Sequence, residues 1–297
     1  MLYNSFSSYL KERYGGKISK ICIDGGFGCP NRDGTVGVGG CIYCGERGAG
    51  EHIDPTVGIT EQVADALAKG RSDGYIAYFQ NFTNTYAPID VLKQRYDAAL
   101  ISDKIVALAI GTRPDCITDE IAALIASYKT RCDVWVELGL QSASDETARI
   151  INRGYKTDVY LNAVRILSSY GIPVVAHMII GLPGEVDEDF YRTVDVINKS
   201  GAWGAKIHSI YVMTGTRLAD MYMSGDYTPP ELDCYVRACA MCISKLRPDI
   251  VVHRITGDCP SGMLVAPDWN SDKNTLINSI RNYMQTHGMS QGSQYEN

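Results

Sequence analysis

The stretch Cys29-Pro-Asn-Arg-Asp-Gly-Thr-Val-Gly-Val-Gly-Gly-Cys41-Ile-Tyr-Cys44 follows closely on the apolar run Ile18 to Ile23. Its Gly, Pro, Asn and Asp content reads as loop. Three thiols therefore sit on one loop at a strand end, spaced C-x11-C-x2-C. A fully ligated [4Fe–4S] cluster takes four thiolates, and a structural zinc site takes four Cys or His ligands. Three ligands leave one iron of a cluster open, and chemistry requires an open position. Gly28, Gly34, Gly37, Gly39, Gly40 and Gly45 would let the backbone wrap closely around a bulky group. Cys22 makes a C-x6-C-x11-C-x2-C zinc knuckle the competing reading. Its setting, Ile-Cys-Ile, suits a small buried hydrophobe instead, and the ligand count favours a cluster held by Cys29, Cys41 and Cys44.

Outward from this loop, apolar strands alternate with amphipathic helices. Strands are expected at Ile18–Asp24, Tyr75–Gln80, Ile105–Ile110, Val134–Leu140, Pro173–Ile180 and Ala205–Val212. Helices are expected at Ser5–Tyr14, Thr60–Lys69, Ile89–Leu100, Thr118–Lys129, Ser144–Ile151, Asp158–Tyr170 and Val186–Lys199. The strands are near-continuous Val/Ile/Ala/Leu runs, as in a parallel sheet covered on both faces. The class is α/β: a partial (β/α)6 TIM-like barrel, with a doubly wound open sheet as the alternative. In both, the site lies at the C-terminal strand ends. Beyond Met213 a helix (Pro230–Lys245), a strand (Ile250–Ile255) and a helix (Asp272–Gln285) form a C-terminal α/β extension. The expected organisation is a barrel with its N-terminal helix over 1–213, an extension packed on it over 214–286, and a disordered Gly/Ser/Gln-rich tail over 287–297.

The 297 residues are 45% hydrophobic, enough for a sizeable core, and the net charge of −6 gives no global footprint for nucleic acid. Locally, Lys11, Arg13, Lys17 and Lys20 face only Glu12. This basic edge would hold a phosphate backbone, or would be a solvated face. No secretory leader is evident, and no apolar run approaches the roughly 18 residues that span a bilayer. Ten cysteines without a leader indicate a reducing compartment, hence a cytoplasmic protein with no membrane partner.

Hydrogen-bonding side chains collect at the strand ends: Gln80 to Tyr86, Gly111 to Cys116, Glu137 to Ser142 and Gly181 to Glu185. Together with the three-Cys loop and Tyr43 between its last two thiols, Glu137-Leu-Gly-Leu-Gln-Ser and Gly181-Leu-Pro-Gly-Glu resemble the radical S-adenosylmethionine (SAM) enzymes. More narrowly, Asp24-Gly-Gly-Phe, Tyr78-Phe-Gln, Thr112-Arg-Pro-Asp and Arg254-Ile-Thr-Gly-Asp are similar to the bacterial YhcC-like group, related to the radical SAM domain of the Elongator catalytic subunit. The likeness runs from about Leu10 to Ile280. Cys22, Cys234, Cys239, Cys242 and Cys259 stand outside the family pattern.

The resemblance implies that Cys29, Cys41 and Cys44 hold three irons of a [4Fe–4S] cluster while the SAM methionine chelates the fourth. Reductive cleavage would give a 5′-deoxyadenosyl radical that abstracts hydrogen from a substrate. Cofactor contacts carried over by topology are Tyr43 on the adenine, Asn81 or Thr83 on the methionine amine, and Glu137 and Gln141 on the ribose. Arg153 would fork onto the methionine carboxylate, and the turn from Gly181 to Glu185 would support the adenine. The implied partners are tRNA, through the C5 side chain of the wobble uridine, and a one-electron donor such as flavodoxin or ferredoxin. Radical chemistry on a small molecule or a protein is the alternative, and a zinc-binding interaction module the third reading.

Other conspicuous residues carry weaker signals. Cys234, Cys239 and Cys242 repeat a C-x4-C-x2-C spacing, but Cys234 and Cys239 fall about 140° apart on a helix, as core cysteines would. Cys116 reads as a structural thiol, and Cys259 carries no assignment. His177 and His208 are either proton donors inside the barrel or hydrogen-bonded core residues. Arg113 and Asp115 bind substrate or close a turn by pairing, and Arg254, Asp258 and Lys273 are candidates for a substrate phosphate.

Overall fold

In the computed structural model, which describes residues 2–48 and 53–296, every expected apolar run becomes a strand of one parallel sheet. Strands β1 (Ile18–Ile23), β2 (Gly74–Phe79), β3 (Ile105–Thr112), β4 (Asp133–Gln141), β5 (Val174–Ile180) and β6 (Gly204–Ser209) pair in chain order. Helices α2 (Ile59–Ala68), α3 (Ile89–Ala99), α4 (Asp119–Ser127), α6 (Thr157–Ser169) and α7 (Asp187–Ser200) alternate with them, and a short α5 (Asp145–Ile150) follows β4. Side chains alternate along each strand. Ala77, Phe79, Leu108, Ile110, Val136 and Leu138 face the helices and pack with Leu92, Tyr96, Ile125 and Leu167. Ile76, Tyr78, Ala107, Ala109, Trp135 and Val175 face the other way and form a second apolar cluster.

That second face is the inside of a half-barrel. Lys206 Nζ on β6 lies 3.3 Å from Tyr78 Oη on β2, four strands away. In a flat sheet with strands ~4.8 Å apart the two would be separated by roughly 19 Å. The sheet therefore curls, and the open doubly wound alternative is excluded.

Helix α1 (Phe6–Tyr14) plugs the barrel from the N-terminal ends of the strands. Ser5 caps it by accepting from the Ser8 N–H, and Gly15, at φ 71°, closes it. Phe6 stacks on His253 at 3.9 Å and meets Trp135 edge-on, while Tyr9 meets Trp203. Burying Phe6 and Leu10 contributes about 1.5–3 kcal/mol each. The expected basic edge divides, with Lys11 and Lys17 exposed as on a solvated face. Arg13 turns to Asp133 in a two-pronged pair at 2.9 Å, and Lys20 points into the barrel.

The C-terminal part departs further from expectation. The expected strand over 205–212 breaks after Ser209, and β7 (Val212–Met213) pairs antiparallel with β9 (Leu264–Ala266). Helix α8 (Arg217–Ser224) was not expected. Helices α9 (Leu232–Lys245) and α10 (Lys273–Thr286) pack together, and β8 (Val251–Arg254) adds to β6 as a seventh parallel strand. The extension thus shares the sheet as well as packing on it.

The tail is not disordered over its described residues. Met289 is buried, and Gln291 receives the Asn4 N–H while its amide donates to the carbonyls of Arg247 and Ile250 at 2.7 and 2.8 Å. A polar composition, read as solvated, here supplies partners for backbone groups of the first strand-like residues and of the turn before β8. Asn297 lies outside the described residues. Replacing Gln291 by Ala should lower unfolding stability by about 1–3 kcal/mol, read as a lower urea midpoint at unchanged m-value.

Candidate active site

The curled sheet leaves a cavity of about 280 Å³ inside the barrel, running from the cysteine loop at the C-terminal strand ends down to Lys20, Glu137 and Lys206. The loop is held from within. Val36 and Gly40 donate backbone hydrogen bonds to Pro30 and Asn31 at 2.8 Å, and Ile42 donates to Ile151. Asn31 Nδ2 donates to the Asn152 carbonyl at 2.6 Å, and Asn152 Nδ2 returns a bond to Gly40. A Cβ on Gly37 would meet Asn31 Oδ1 at 2.4 Å, so only glycine fits there.

Cys29, Cys41 and Cys44 all line the cavity. Burial pushes the Cys41 thiol up and the Cys44 thiol up to about 12, with Arg113 and Arg32 pulling the other way. Metal binding replaces such thiol protons. Among the described residues no three His, Cys, Asp or Glu side chains converge as a single metal ion needs. Sulfurs on one tetrahedral zinc would lie ~3.8 Å apart, from Zn–S bonds of 2.3 Å. Cys22 stands apart, its charged neighbours being Lys20, Lys206, Arg254 and Glu137. Cys22 is thus not grouped with the loop cysteines, while the three thiols of one loop lining one cavity mouth fit a cluster with three protein ligands.

The expected SAM contacts divide. Tyr43 and Gln141 line the cavity, and so does Thr83, whose Oγ1 is buried without a partner. An orphan hydroxyl facing the cavity fits a ligand amine or carboxylate. Asn81 does not face it. Its Nδ2 donates to Asp24 at 2.7 Å, bracing the backbone before Cys29. Arg153 is fully buried behind the wall, donating to the carbonyls of Leu140, Ser142 and Tyr155. It shapes the end of β4 and is not placed to fork onto a carboxylate in the cavity. Gly181 and Glu185 border a separate depression beside α9. A Cβ on Gly181 would strike Ile210 at 2.6 Å, so its contact with a bound adenine would be indirect, through Ile210 on the cavity wall.

Backbone strain gathers here. Among the described residues the non-glycine positions at positive φ are Phe82 (57°), Gln141 (56°) and Asn152 (53°). The first two line the cavity and the third holds the cysteine loop. Such conformations cost on the order of 1–2 kcal/mol each and persist where the surroundings impose them. No feature of the sequence marks them.

Below the loop lies a charge network. The Glu137 carboxylate is paired by Lys206, accepts from His177 Nε2 at 2.8 Å and Trp135 Nε1 at 3.3 Å, and has Lys20 Nζ at 3.8 Å. Burial pushes its pKa up, but Lys206 and Lys20 outweigh burial and hold it well below the carboxylate range. Burial lowers Lys206, and burial with Lys206 lowers His177 to about 4, so that imidazole is neutral. The expected ribose role for Glu137 does not fit, because its oxygens are already committed. Lys206, not singled out from the sequence, is its main partner. Arg113 forks onto Asp115 at 2.6 and 3.0 Å and still borders the cavity. Cys239 and Cys242 are buried in α9 as core residues, and Cys234 is exposed.

Lys206→Met should destabilise the fold by about 3–5 kcal/mol, because it strands a buried carboxylate, and adding Glu137→Gln should recover much of that loss. Both are readable from denaturant midpoints. For Glu185, burial raises the pKa from 4.5 to about 7. The folded state then holds a proton that the unfolded state releases, so this contribution to stability is full below pH 4.5 and is lost as pH rises to 7. Glu185→Gln should flatten the fall in melting temperature over that interval.

Comparison with known proteins agrees with this geometry. Residues 26–197 match the family model of the radical SAM superfamily and residues 202–286 that of the Radical_SAM C-terminal domain. Protein YhcC of Escherichia coli is 36% identical over 98% of this chain and 95% of its own length. The tRNA uridine(34) acetyltransferase of Methanocaldococcus infernus is 28% identical over 62% of this chain and 34% of its own. The solved structure of Elp3 from the same archaeon superposes with a TM-score of 0.70 at 20% identity, covering 93% of this chain and 64% of that one. Among the described residues no helix is long and apolar enough to cross a membrane. With three loop thiols above a curled parallel sheet, the chain belongs to the radical SAM superfamily, in its YhcC-like group, and its cofactors are a [4Fe–4S] cluster and SAM.

Proposed function

We propose that this radical SAM enzyme modifies tRNA, acting on the C5 side chain of the wobble uridine, for example converting carboxymethylaminomethyl to aminomethyl. In that conversion, loss of a hydrogen atom and one electron from the carboxymethyl carbon would give an imine that water hydrolyses, releasing glyoxylate. The observation that carries the reading is the cysteine loop at an open barrel mouth, in a chain whose relative is named for uridine 34 of tRNA. An anticodon base is accessible to such a mouth because loop bases splay out of the stack.

When bound, the cluster and SAM would supply one-electron reductive cleavage and hydrogen-atom abstraction from the substrate. The chain's own residues do the positioning. Cys29, Cys41 and Cys44 would hold the cluster. Thr83, Gln141 and Tyr43 would contact SAM, and the strained backbone at Phe82 and Gln141 aims that wall. Helix α1 closes the far end of the barrel, so water and substrate share one entrance. With Arg13 and Lys20 engaged elsewhere, phosphate contacts fall to exposed cations near the mouth. Arg217 reaches the Gly40 carbonyl of the loop, and Lys273 pairs with Asp258 on the cavity rim. The net charge of −6 favours a second reading, a small-molecule substrate, since phosphate contacts dominate tRNA affinity. A one-electron carrier such as flavodoxin or ferredoxin would complete the cycle.

The test is anaerobic cluster reconstitution, then dithionite and SAM, with 5′-deoxyadenosine quantified. Wild type should form it, and Cys41→Ala should lose both iron and product. Adding tRNA from cells lacking the protein should stimulate turnover and change the mass of the wobble nucleoside. Turnover without any tRNA effect would move the substrate to the second reading.

A further inference from the structure

From floor to rim the cavity is lined by more basic groups than carboxylates, and burial lowers the pKa of one of them, Lys206, to about 7. Lys20 on β1, Lys206 on β6 and Arg254 on β8 all line it, and the fields of all three meet at the Cys22 thiol. Two carboxylates answer them. Glu137 is shared between Lys206 and Lys20. Asp258, higher up on the rim, is shared between Arg254, at 3.6 Å, and Lys273. Each carboxylate thus serves two cations. The histidines do not alter this balance, since burial and the neighbouring cations keep His177 and His208 neutral. They are present as hydrogen-bonding groups, and His208 Nε2 is buried on the cavity wall without a partner.

Lys206 is buried and Lys20 mostly so, while Arg254 is part-exposed, and cations drawn together in this way favour an anion between them. Packing offers a cheaper solution, an apolar residue at any of these inward positions, and the chain does not take it. We propose that Lys20, Lys206, Arg254 and His208 form a subsite for an anionic group of the substrate, a carboxylate or a phosphate. Arg254 presents a planar fork suited to two oxygens, Lys206 stands beside it on the neighbouring strand, and Lys20 reaches in from β1 at the other end of the curled sheet. An anion seated there directs the remainder of the molecule up towards the cysteine loop, so the subsite selects acidic substrates and fixes their depth. The assignment of the bound molecule as substrate rests on the radical SAM reading, whereas the binding itself does not.

The experiment uses the full chain, with Trp135 as reporter because its indole donates to Glu137 at the floor. Acetate, inorganic phosphate and neutral acetamide are titrated at constant ionic strength, and iron loading and SAM binding are measured separately on the same preparations. Saturable quenching by acetate, with none by acetamide, is expected. Arg254→Gln should weaken it at least about tenfold, the scale of one charged hydrogen bond, with iron loading unchanged. The pair Lys206→Met with Glu137→Gln, which strands no carboxylate, should weaken it likewise. Tighter binding of phosphate than of acetate, with the same dependence on these residues, supports the subsite and assigns it to phosphate. Equal response to acetamide, or anion binding indifferent to both sets of substitutions, overturns it. Loss of iron or SAM binding in the wild type, with anion binding intact, would count against the radical SAM reading alone.

Discussion

A carboxylate buried inside the barrel, Glu137, is the group on which the interior depends. It draws Lys206 from β6, Lys20 from β1 and His177 from β5 to one point. These contacts span the curvature of the sheet, so they stand only if the strands curl. An isolated carboxylate here would cost several kcal/mol, and paired in this way it joins the two halves of the sheet. Hydrophobic burial on the helix side sets overall stability. The charge cluster instead specifies how the strands stand across the cavity from one another.

The barrel interior changes character along its axis. Near the strand N-termini the inward residues are Ile76, Ala107, Trp135 and Val175, sealed by Phe6 and Leu10 of α1. Two residues further along several strands the inward position turns polar: Lys20 after Ile18, Tyr78 after Ile76, Glu137 after Trp135, His177 after Val175. The apolar half fixes the floor and the polar half is left free of packing. A closed barrel would fill both with side chains. Here the upper half is kept for ligands, and the strained residues Phe82 and Gln141 at its rim are the local cost of shaping it.

Much of this was legible in the sequence. Apolar runs at helix-length spacing identify the six strands of the parallel series, and the three cysteines mark the mouth. The missed features share one cause, contact between segments distant in the chain. Lys206 stands in an apolar run and reads as an isolated charge until Glu137, two strands away on β4, is placed within its reach. Arg153 reads as a free fork, because only the fold shows that three carbonyls occupy its Nε and Nη1. Lys20 belongs to a basic cluster in sequence and to the cavity in space. The tail looks disordered by composition, yet the partners of Gln291 lie more than forty residues away. Inward alternation carries part of the missing information in the sequence itself: a charge two residues beyond an apolar inward position, Lys20 after Ile18 and Glu137 after Trp135.

The same alternation separates what the family determines from what this chain adds. The cysteine loop is built from bonds internal to it and from Asn152, and any substrate could stand below it. The floor is different, since its cations come from three strands and its carboxylates are each used twice. Burying a cation beside a half-used carboxylate confers no packing advantage over leucine. A chain that retains three such cations around one cavity, while sealing the opposite end with aromatic rings, is shaped for a ligand that brings its own negative charge.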